Sequence, residues 1–146
     1  MGTEKSIQIP ALASRSALPD VTAPDGSEIR LLIDQRHQAS AASMVEVTLA
    51  AGQVSRPVWH QRVEEVWYVL QGHGDVWRCP PDADPAVYAA VSVKPGDSLV
   101  IPPRWRFQFR ASAGAELRFL CFTVPPWPGE AEAQPAEFGG LGPATV

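Results

Sequence analysis

The sequence has little cysteine and no long apolar run. Its two cysteines, Cys79 and Cys121, are too few for a disulfide framework, and they indicate a reducing compartment. The first ten residues contain no apolar segment of the kind found in a secretion signal, and no run approaches the length of a membrane span. We therefore expect a cytoplasmic protein with no membrane partner.

The sequence also lacks an excess of positive charge. Twelve Lys and Arg residues stand against 16 Asp and Glu residues, so the formal net charge is −4 and the pI is about 5.3. A nucleic-acid partner requires a surplus of basic side chains to neutralise phosphates, and we expect none here. Ten of the twelve basic residues are arginine, whose planar fork recognises carboxylates and phosphates.

The sequence also lacks the apolar periodicity of an amphipathic helix in every stretch. Short β-prone segments recur about every 8–12 residues between Pro and Gly turns, which is typical of an all-β sandwich or barrel. Hydrophobic residues make up 45% of the 146 residues, enough for one folded domain. The predicted strands or extended segments are 6–9, 28–34, 44–49, 53–60, 65–71, 75–79, 87–93, 98–101, 105–110 and 116–124.

The stretch 52–72 is richest in groups that carry chemistry. A glycine stands at each end, and between them lie His60 and two adjacent carboxylates, Glu64 and Glu65. The apolar and aromatic run that follows predicts a strand, whose period of two puts alternate side chains on opposite faces. We predict that Glu65 shares one face with Trp67 and Val69, and that Val66, Tyr68 and Leu70 take the other. The tripeptide that follows, 72–74, predicts a tight hairpin turn.

Two spaced patterns in this region resemble the motifs of the cupin family. The first family motif is Gly, five residues, His-x-His, three or four residues, Glu, six residues, Gly. The second is Gly, five residues, Pro-x-Gly, two residues, His, three residues, Asn. The matching positions here are Gly52, Val58, His60, Glu65 and Gly72 for the first, and Gly96, Pro102, Arg104, Phe107 and Ala111 for the second. The resemblance covers most of residues 44–124.

The resemblance implies a single-domain jelly-roll β-barrel. We expect an irregular N-terminal arm over 1–28, the barrel over 29–124, and a Pro- and Gly-rich C-terminal tail over 125–146 that packs on the barrel or frays from it. The resemblance also implies a homodimer, and the arm is suited to reach a neighbouring copy.

The departures from the family pattern bear on the metal. In the family, the two histidines and the glutamate of the first motif bind a divalent metal together with the histidine of the second. Here only His60 and Glu65 remain, while Val58 and Phe107 are hydrocarbon. A transition metal needs at least three protein ligands, so we favour no metal cofactor. A divalent metal held by His60, Glu65 and a non-standard ligand stays open, with His37, Gln61, His73 and Cys121 as candidates.

By analogy with the family, the barrel interior is an aromatic pocket that contains the remaining pair. His60 and Glu65 are the predicted catalytic residues, because a carboxylate beside an imidazole can transfer protons near neutral pH. Arg104 at the turn is placed to hold an acidic substrate in a bidentate fork. The predicted substrate-binding residues are Trp67, Arg104, Trp105, Phe107 and Phe109.

Three functions follow for a chain that binds a small, acidic or aromatic molecule. One is a metal-independent isomerase, cyclase or lyase that uses the His60–Glu65 pair. The second is a non-catalytic ligand-binding or sensory protein. The third is a metal-dependent enzyme, similar to a dioxygenase or an isomerase. The sequence leaves open which of the three applies and which substrate is bound.

Overall fold

The strand pattern of the sequence produces two antiparallel sheets in the computed structural model, which describes residues 6–146. The strands are β1 (Val21–Thr22), β2 (Glu28–Ile33), β3 (Ser43–Leu49), β4 (Val58–His60), β5 (Glu64–Gln71), β6 (Gly74–Cys79), β7 (Val91–Val93), β8 (Ser98–Ile101), β9 (Arg106–Ala111), β10 (Leu117–Val124) and β11 (Ala133–Pro135). Two single-turn 3₁₀ helices, Gln35–His37 and Pro85–Val87, interrupt them. The predicted all-β jelly-roll barrel is confirmed.

The two sheets pack face to face around an aromatic core. One sheet has the order β1-β2-β3-β10-β5-β8, and the other has the order β11-β4-β9-β6-β7. The Trp67 ring of β5 stacks on the Phe119 ring of β10 with 4.0 Å between centroids, and Phe109 of β9 meets both rings edge-on. These buried rings remove much apolar surface from water, which is the main stabilising contribution to the barrel.

Strand β5 alternates as predicted. Its inward residues Glu65, Trp67 and Val69 are buried, whereas the predicted outward set of Val66, Tyr68 and Leu70 is exposed. The same alternation puts Glu64 on the outer face of the strand, and its side chain is also exposed.

Residues 72–74 do not form the predicted hairpin. They carry the chain from β5 in the six-stranded sheet to β6 in the other sheet, so the two strands do not pair with each other. Gly72 adopts φ 81°, and the carbonyl oxygen of Glu116 would collide with any β-carbon at this position. The glycine thus permits a tight corner between the two sheets. The local sequence of such a corner resembles that of a hairpin turn.

Three predicted segments differ in the structure. The extended segment 53–60 is a strand only over Val58–His60, with an isolated bridge at Val54. Residues 6–9 pair with no strand, and Ile7 and Ile9 are exposed, so their alternation buries no apolar face. The predicted strand 87–93 is reduced to Val91–Val93. Its first part belongs to the 3₁₀ turn capped by the Asp84 side chain, and the carbonyl of Tyr88 accepts the indole N–H of Trp77 instead of a ladder bond.

Both terminal segments lie against the barrel where the structure describes them. The arm crosses the outer side of the six-stranded sheet, with Arg15 Nε 2.7 Å from Glu46 Oε2 and with Arg30 donating to the carbonyls of Ser16 and Ala17. The tail adds β11 to β4. Within residues 6–146 no helix is long and apolar enough to cross a membrane.

Candidate functional site

A cavity of about 870 Å³ opens between the two sheets. Inward side chains of β2, β3, β5, β9 and β10 make its apolar walls, and the start of the C-terminal tail borders it on one side. Four titratable side chains matter for its chemistry, and they come from distant parts of the chain: Asp25, His60, Glu65 and Cys121.

His60 is the last residue of β4 and is held by aromatic rings. Its side chain is only 5% exposed, and it meets the rings of Phe107 and Trp127 edge-on with centroids 5.2 and 5.1 Å away. Its Nδ1 atom is buried and has no hydrogen-bond partner. Burial lowers the pKa of His60 to about 4, against the weaker attraction of the Glu132 carboxylate. The imidazole is therefore neutral at physiological pH.

Glu65 lies at the start of β5 with its carboxyl group inside the barrel. The indole Nε1 of Trp67 donates to its Oε1 atom at 3.0 Å. Burial raises the pKa of Glu65 to about 7, although the hydrogen bond from Trp67 favours the ionised form. The carboxyl group thus exchanges its proton near neutral pH.

The two side chains face each other without being an ion pair. His60 Nδ1 lies 3.7 Å from Glu65 Oε2, which is too long for a hydrogen bond. The imidazole is charged only below about pH 4 and the carboxylate only above about pH 7, so no pH range charges both groups substantially. We call this contact an open acid–base pair, because the two side chains make no hydrogen bond to each other and an atom of a ligand can bridge them.

Two further titratable groups border the same cavity. Cys121 of β10 lies opposite Trp67 in the sheet, and burial together with the neighbouring Glu65 carboxyl group raises the pKa of its thiol well above the usual value. Asp25 accepts hydrogen bonds from the backbone N–H and hydroxyl of Ser27 at 2.9 and 2.6 Å. Burial raises the pKa of Asp25 despite these bonds. The inner cavity therefore disfavours negative charge.

The C-terminal tail supplies two parts of the site. The Trp127 ring packs against His60, and its backbone N–H donates to Ser43 Oγ at 3.1 Å. The buried Glu132 carboxylate accepts the backbone N–H groups of Arg62 and Val63 at 2.6 and 3.2 Å. Because these N–H groups lie in the turn between His60 and Glu65, Glu132 fixes the relative position of the pair.

The structure brings some of the predicted substrate-binding residues together and separates others. Trp67 and Phe109 line the cavity, and Phe107 packs behind the His60 ring. Trp105 is half-buried and does not border the cavity. Arg104 is exposed on a turn with φ 71°, and its backbone N–H, not its guanidinium, contacts His60 by donating to the carbonyl at 2.8 Å.

Sequence reasoning did not single out Asp25, Trp127 or Glu132 as site residues. Asp25 belongs to the Pro-Asp-Gly-Ser segment, which predicts a turn whatever the carboxylate faces. The two tail residues are far from the motifs along the chain, and no local pattern marks them. Arg62, whose side chain is 69% exposed, stands at the edge of the cavity where Arg104 was expected.

The residues present do not fit a metal ion of the kind that the resemblance implies. Val58 and Phe107 are buried hydrocarbon at two of the four ligand positions. No group of three or more His, Cys, Asp and Glu side chains with metal-binding geometry occurs among residues 6–146. Of the substitute ligands considered, His37 caps a 3₁₀ turn through Nδ1, and His73 and Gln61 are exposed. Cys121 borders the cavity, but burial raises the pKa of its thiol and so disfavours the thiolate that binds a metal. We therefore derive no step through a metal.

The buried pair predicts two opposite effects of pH on the free energy of unfolding. The pKa of Glu65 is higher in the folded state than its ordinary 4.5, so stability decreases as the pH rises from about 4.5 to about 7. The pKa of His60 is lower than its ordinary 6.5, so stability increases as the pH rises from about 4 to about 6.5. The two effects oppose each other over most of this range.

Single substitutions should therefore reveal opposite slopes in urea denaturation. We expect the Glu65→Gln variant to gain about 3 kcal/mol between pH 4 and 6.5, and the His60→Gln variant to lose a similar amount between pH 4.5 and 7. The Glu64→Gln variant is the matched control, because its side chain is exposed, and it should follow the flatter profile of the unmodified protein. Parallel profiles for the two site variants would contradict the assigned protonation states.

Several known proteins are similar to this chain. An uncharacterised protein of Methanocaldococcus jannaschii is 28% identical over 107 residues, which cover 73% of this chain and 79% of that protein. The polyketide cyclase RemF from Streptomyces resistomycificus superposes with a TM-score of 0.62 at 20% identity, over 93% of this chain and 87% of that one.

Larger proteins contain the same fold as a part. Oxalate decarboxylase from Bacillus subtilis superposes with a TM-score of 0.71 at 15% identity, over 89% of this chain but 33% of the enzyme. The coconut allergen cocosin gives a TM-score of 0.62 at 18% identity, over 73% of this chain and 28% of that one. The chain thus spans about a third or less of these two proteins, and at such identities the likeness concerns the fold. The model of the family described as Cupin matches residues 16–127, and the chain therefore belongs to the cupin family.

Proposed function

We propose that this cupin binds a small aromatic molecule between its sheets and moves a proton on it without a metal, as an isomerase, cyclase or lyase. The observation that carries the proposal is the open His60–Glu65 pair. Its atoms are 3.7 Å apart at the wall of a cavity of about 870 Å³, and the carboxyl group has a pKa of about 7. A side chain with a pKa near the working pH is suited to proton transfer.

Glu65 is the general base of the proposed reaction. Above pH 7 its carboxylate takes a proton from a carbon or hydroxyl group of the ligand, and it returns the proton to another position. Burial makes it a stronger base than an exposed carboxylate, since the same desolvation that raises its pKa destabilises its charge. Trp67 keeps Oε1 in place through its indole N–H, so that Oε2 remains directed toward His60.

His60 acts as a neutral imidazole that stabilises the oxygen of the ligand. When Glu65 removes a proton next to a carbonyl group, negative charge develops on the carbonyl oxygen. A neutral imidazole with a low pKa can donate a hydrogen bond to that oxygen without itself giving up a full proton. Phe107 and Trp127 hold the ring on two sides, so the imidazole does not have to reorient during the reaction.

The walls and charges of the cavity indicate the class of ligand. The stacked and edge-on rings of Trp67, Phe109 and Phe119 favour a flat apolar or aromatic body. The carboxyl groups of Asp25 and Glu65 make the inner cavity unfavourable for an anion. An acidic group on the ligand would instead meet the exposed Arg62 guanidinium at the rim, whose Nε atom also lies 3.8 Å from Glu132 Oε1.

Among the similar structures, one is described as a polyketide cyclase and another as a decarboxylase, which supports an enzyme. The second candidate is a ligand-binding protein without chemistry, in which the gap between His60 and Glu65 is bridged by a hydroxyl or carbonyl group of the ligand. The buried Nδ1 atom of His60, which has no hydrogen-bond partner, favours this candidate as well. The cytoplasmic location stays a prediction.

Hydrogen–deuterium exchange of a carbon acid tests the proposed base. We expect the protein to accelerate exchange of the acidic methylene of 2-tetralone in D₂O, with a rate that rises through an apparent pKa near 7. The Glu65→Gln variant should lose at least about 100-fold of the catalysed rate, because it has no base. The Glu64→Gln variant should keep the rate.

The same experiment separates an enzyme from a binder. Thermal-shift titration reports binding of 2-tetralone independently of turnover. The unmodified protein could bind 2-tetralone without catalysing exchange, and the Glu65→Gln variant could bind it equally well. These two results together would contradict the acid–base role and support the non-catalytic one.

A pair of matched ligands tests which arginine binds an acidic group of the ligand. We expect the Arg62→Gln variant to bind 2-naphthoate up to about fivefold more weakly than the unmodified protein does, with little change for neutral 2-naphthol, because an exposed ion pair contributes about 1 kcal/mol or less. Arg104→Gln is the control, since its side chain lies outside the cavity. A loss of 2-naphthoate binding in Arg104→Gln alone would restore Arg104 as the anion-binding residue.

Metal analysis of the purified protein addresses the third function. We expect Fe, Zn, Mn, Ni and Cu each at well below one atom per chain, and catalysed exchange that survives EDTA treatment, because two protein ligands beside Val58 and Phe107 form a weak site. One equivalent of a metal that is lost in the His60→Ala variant would contradict the metal-independent proposal.

A further inference from the structure

The cavity contains two carboxyl groups that no basic side chain neutralises. Asp25 lies in the turn between β1 and β2, Glu65 lies in β5, and both border the cavity. We call them the inner carboxyl pair. Among residues 6–146, neither has a Lys or Arg nitrogen within 4.0 Å. A buried carboxylate without a counter-charge is costly, and groups of this kind are typical of functional sites.

The two carboxyl groups are close enough to influence each other. Burial is the main cause of the raised pKa values of Glu65 and of the Cys121 thiol, and the Asp25 charge raises both further. Burial also raises the pKa of Asp25, and attraction to the Arg56 guanidinium is the weakest of the effects that lower it. The inner carboxyl pair is therefore one electrostatic unit inside the barrel.

The basic side chains that border the cavity are engaged by other acids. Arg36 is 66% exposed and donates to both carboxylate oxygens of Asp34 at 2.9–3.1 Å. Arg62 is 69% exposed, and its Nε atom lies 3.8 Å from Glu132 Oε1. Both guanidinium groups thus remain at the solvent side of the cavity, and the charge of the inner carboxyl pair is left for a ligand to balance.

The same region presents hydrogen-bond acceptors to a ligand. Asp25 Oδ1 accepts both bonds from Ser27, whereas its Oδ2 atom accepts none from residues 6–146. Glu65 Oε1 accepts the indole N–H of Trp67, while Oε2 is directed toward His60. The buried Nδ1 atom of His60 has no partner, and in a neutral imidazole it can hold the lone pair. A ligand group with several N–H donors would satisfy these acceptors together.

The walls favour an organic cation over an inorganic one. The Trp67 and Phe119 rings stack, and Phe109 meets both edge-on, so the wall around the inner carboxyl pair is aromatic hydrocarbon. A hydrated metal ion would lose water against such a wall without gaining enough ligands. An ammonium group carried by an apolar body keeps its donors for the carboxylates, and aromatic rings attract such cations.

We propose that the cavity binds an aromatic amine, with the protonated amino group between the carboxylates of Asp25 and Glu65 and with one N–H donated to His60 Nδ1. The site is that of the proposed function, on which this ligand class rests. The N–H of His60 Nε2 stays available for a ligand oxygen. The ammonium group supplies the counter-charge that the inner carboxyl pair lacks, through charge-assisted hydrogen bonds.

Calorimetric titration with two ligands of the same shape tests the proposed ligand class. At pH 8 the Glu65 carboxyl group is mostly ionised and a primary amine is protonated. We expect 2-naphthylmethylammonium to bind at least about tenfold more tightly than neutral 2-naphthalenemethanol, because a hydrogen bond between charged groups is stronger than one between neutral groups. Equal or weaker binding of the ammonium ligand would overturn the proposal.

Variants of the inner carboxyl pair locate the ammonium group. The Asp25→Asn and Glu65→Gln variants should each reduce the preference for the ammonium ligand at least about tenfold, with a smaller change for the alcohol. Asparagine can still accept the bonds from Ser27, so the turn is retained. Asp84→Asn is the matched control and should keep the preference, because Asp84 is exposed outside the cavity and likewise accepts a backbone N–H two residues later, from Ala86 at 3.0 Å.

Circular dichroism confirms that each variant is folded before titration. A preference for the ammonium ligand that survives in both Asp25→Asn and Glu65→Gln would overturn the proposal. A preference that is lost in Glu65→Gln but unchanged in Asp25→Asn would overturn the placement of the ammonium group between the two carboxylates.

Exchange of 2-tetralone separates this proposal from the proposed function. Absence of catalysed exchange together with a retained preference for the ammonium ligand would contradict the proton-transfer function alone. Catalysed exchange without that preference would contradict the ligand class alone.

Discussion

Burial of His60 and Glu65 beside one another is the constraint on which the site depends. Desolvation moves the two pKa values in opposite directions, to about 4 and about 7, and thereby prevents the charges that would otherwise pair. A solvated pair of the same residues would form a weak ion pair with ordinary acid–base behaviour. The aromatic rings around the imidazole are therefore part of the chemistry, because they keep water away from both groups.

Successive side chains of β5 and β10 point to opposite faces of the sheet, so one set lines the cavity and the other set forms the outer surface. Glu65, Trp67 and Cys121 point inward to the cavity, and Val66, Tyr68 and Phe122 point outward to the exposed face. A shift of one residue in the register would exchange these two sets and place the carboxyl group of Glu65 on the surface. The same central strands thus position both the site and the apolar outer face.

Much of this architecture follows from local sequence, and the rest depends on contacts between distant segments. The alternation in β5 is predictable because β-branched and aromatic residues recur around Glu65 with the strand period. Ile7 and Ile9 show the same alternation, yet they form no strand, because pairing requires a neighbouring edge that local sequence does not reveal. The corner at Gly72 resembles a hairpin turn for a similar reason. At the site, the motif spacing places His60 and Glu65 at the barrel wall, but nothing local identifies Glu132 or Trp127 as their supports.

The position of Glu132 has a consequence for the order in which the molecule is built. Its carboxylate fixes the turn between His60 and Glu65, although it lies 72 residues after His60 in the chain. While the chain is being synthesised from its N-terminus, the first motif leaves the ribosome long before the segment that holds it in shape. The ligand pocket thus cannot be completed before residue 132 has been made, and a nascent chain that stops short of this residue lacks the carboxylate that aligns the pair.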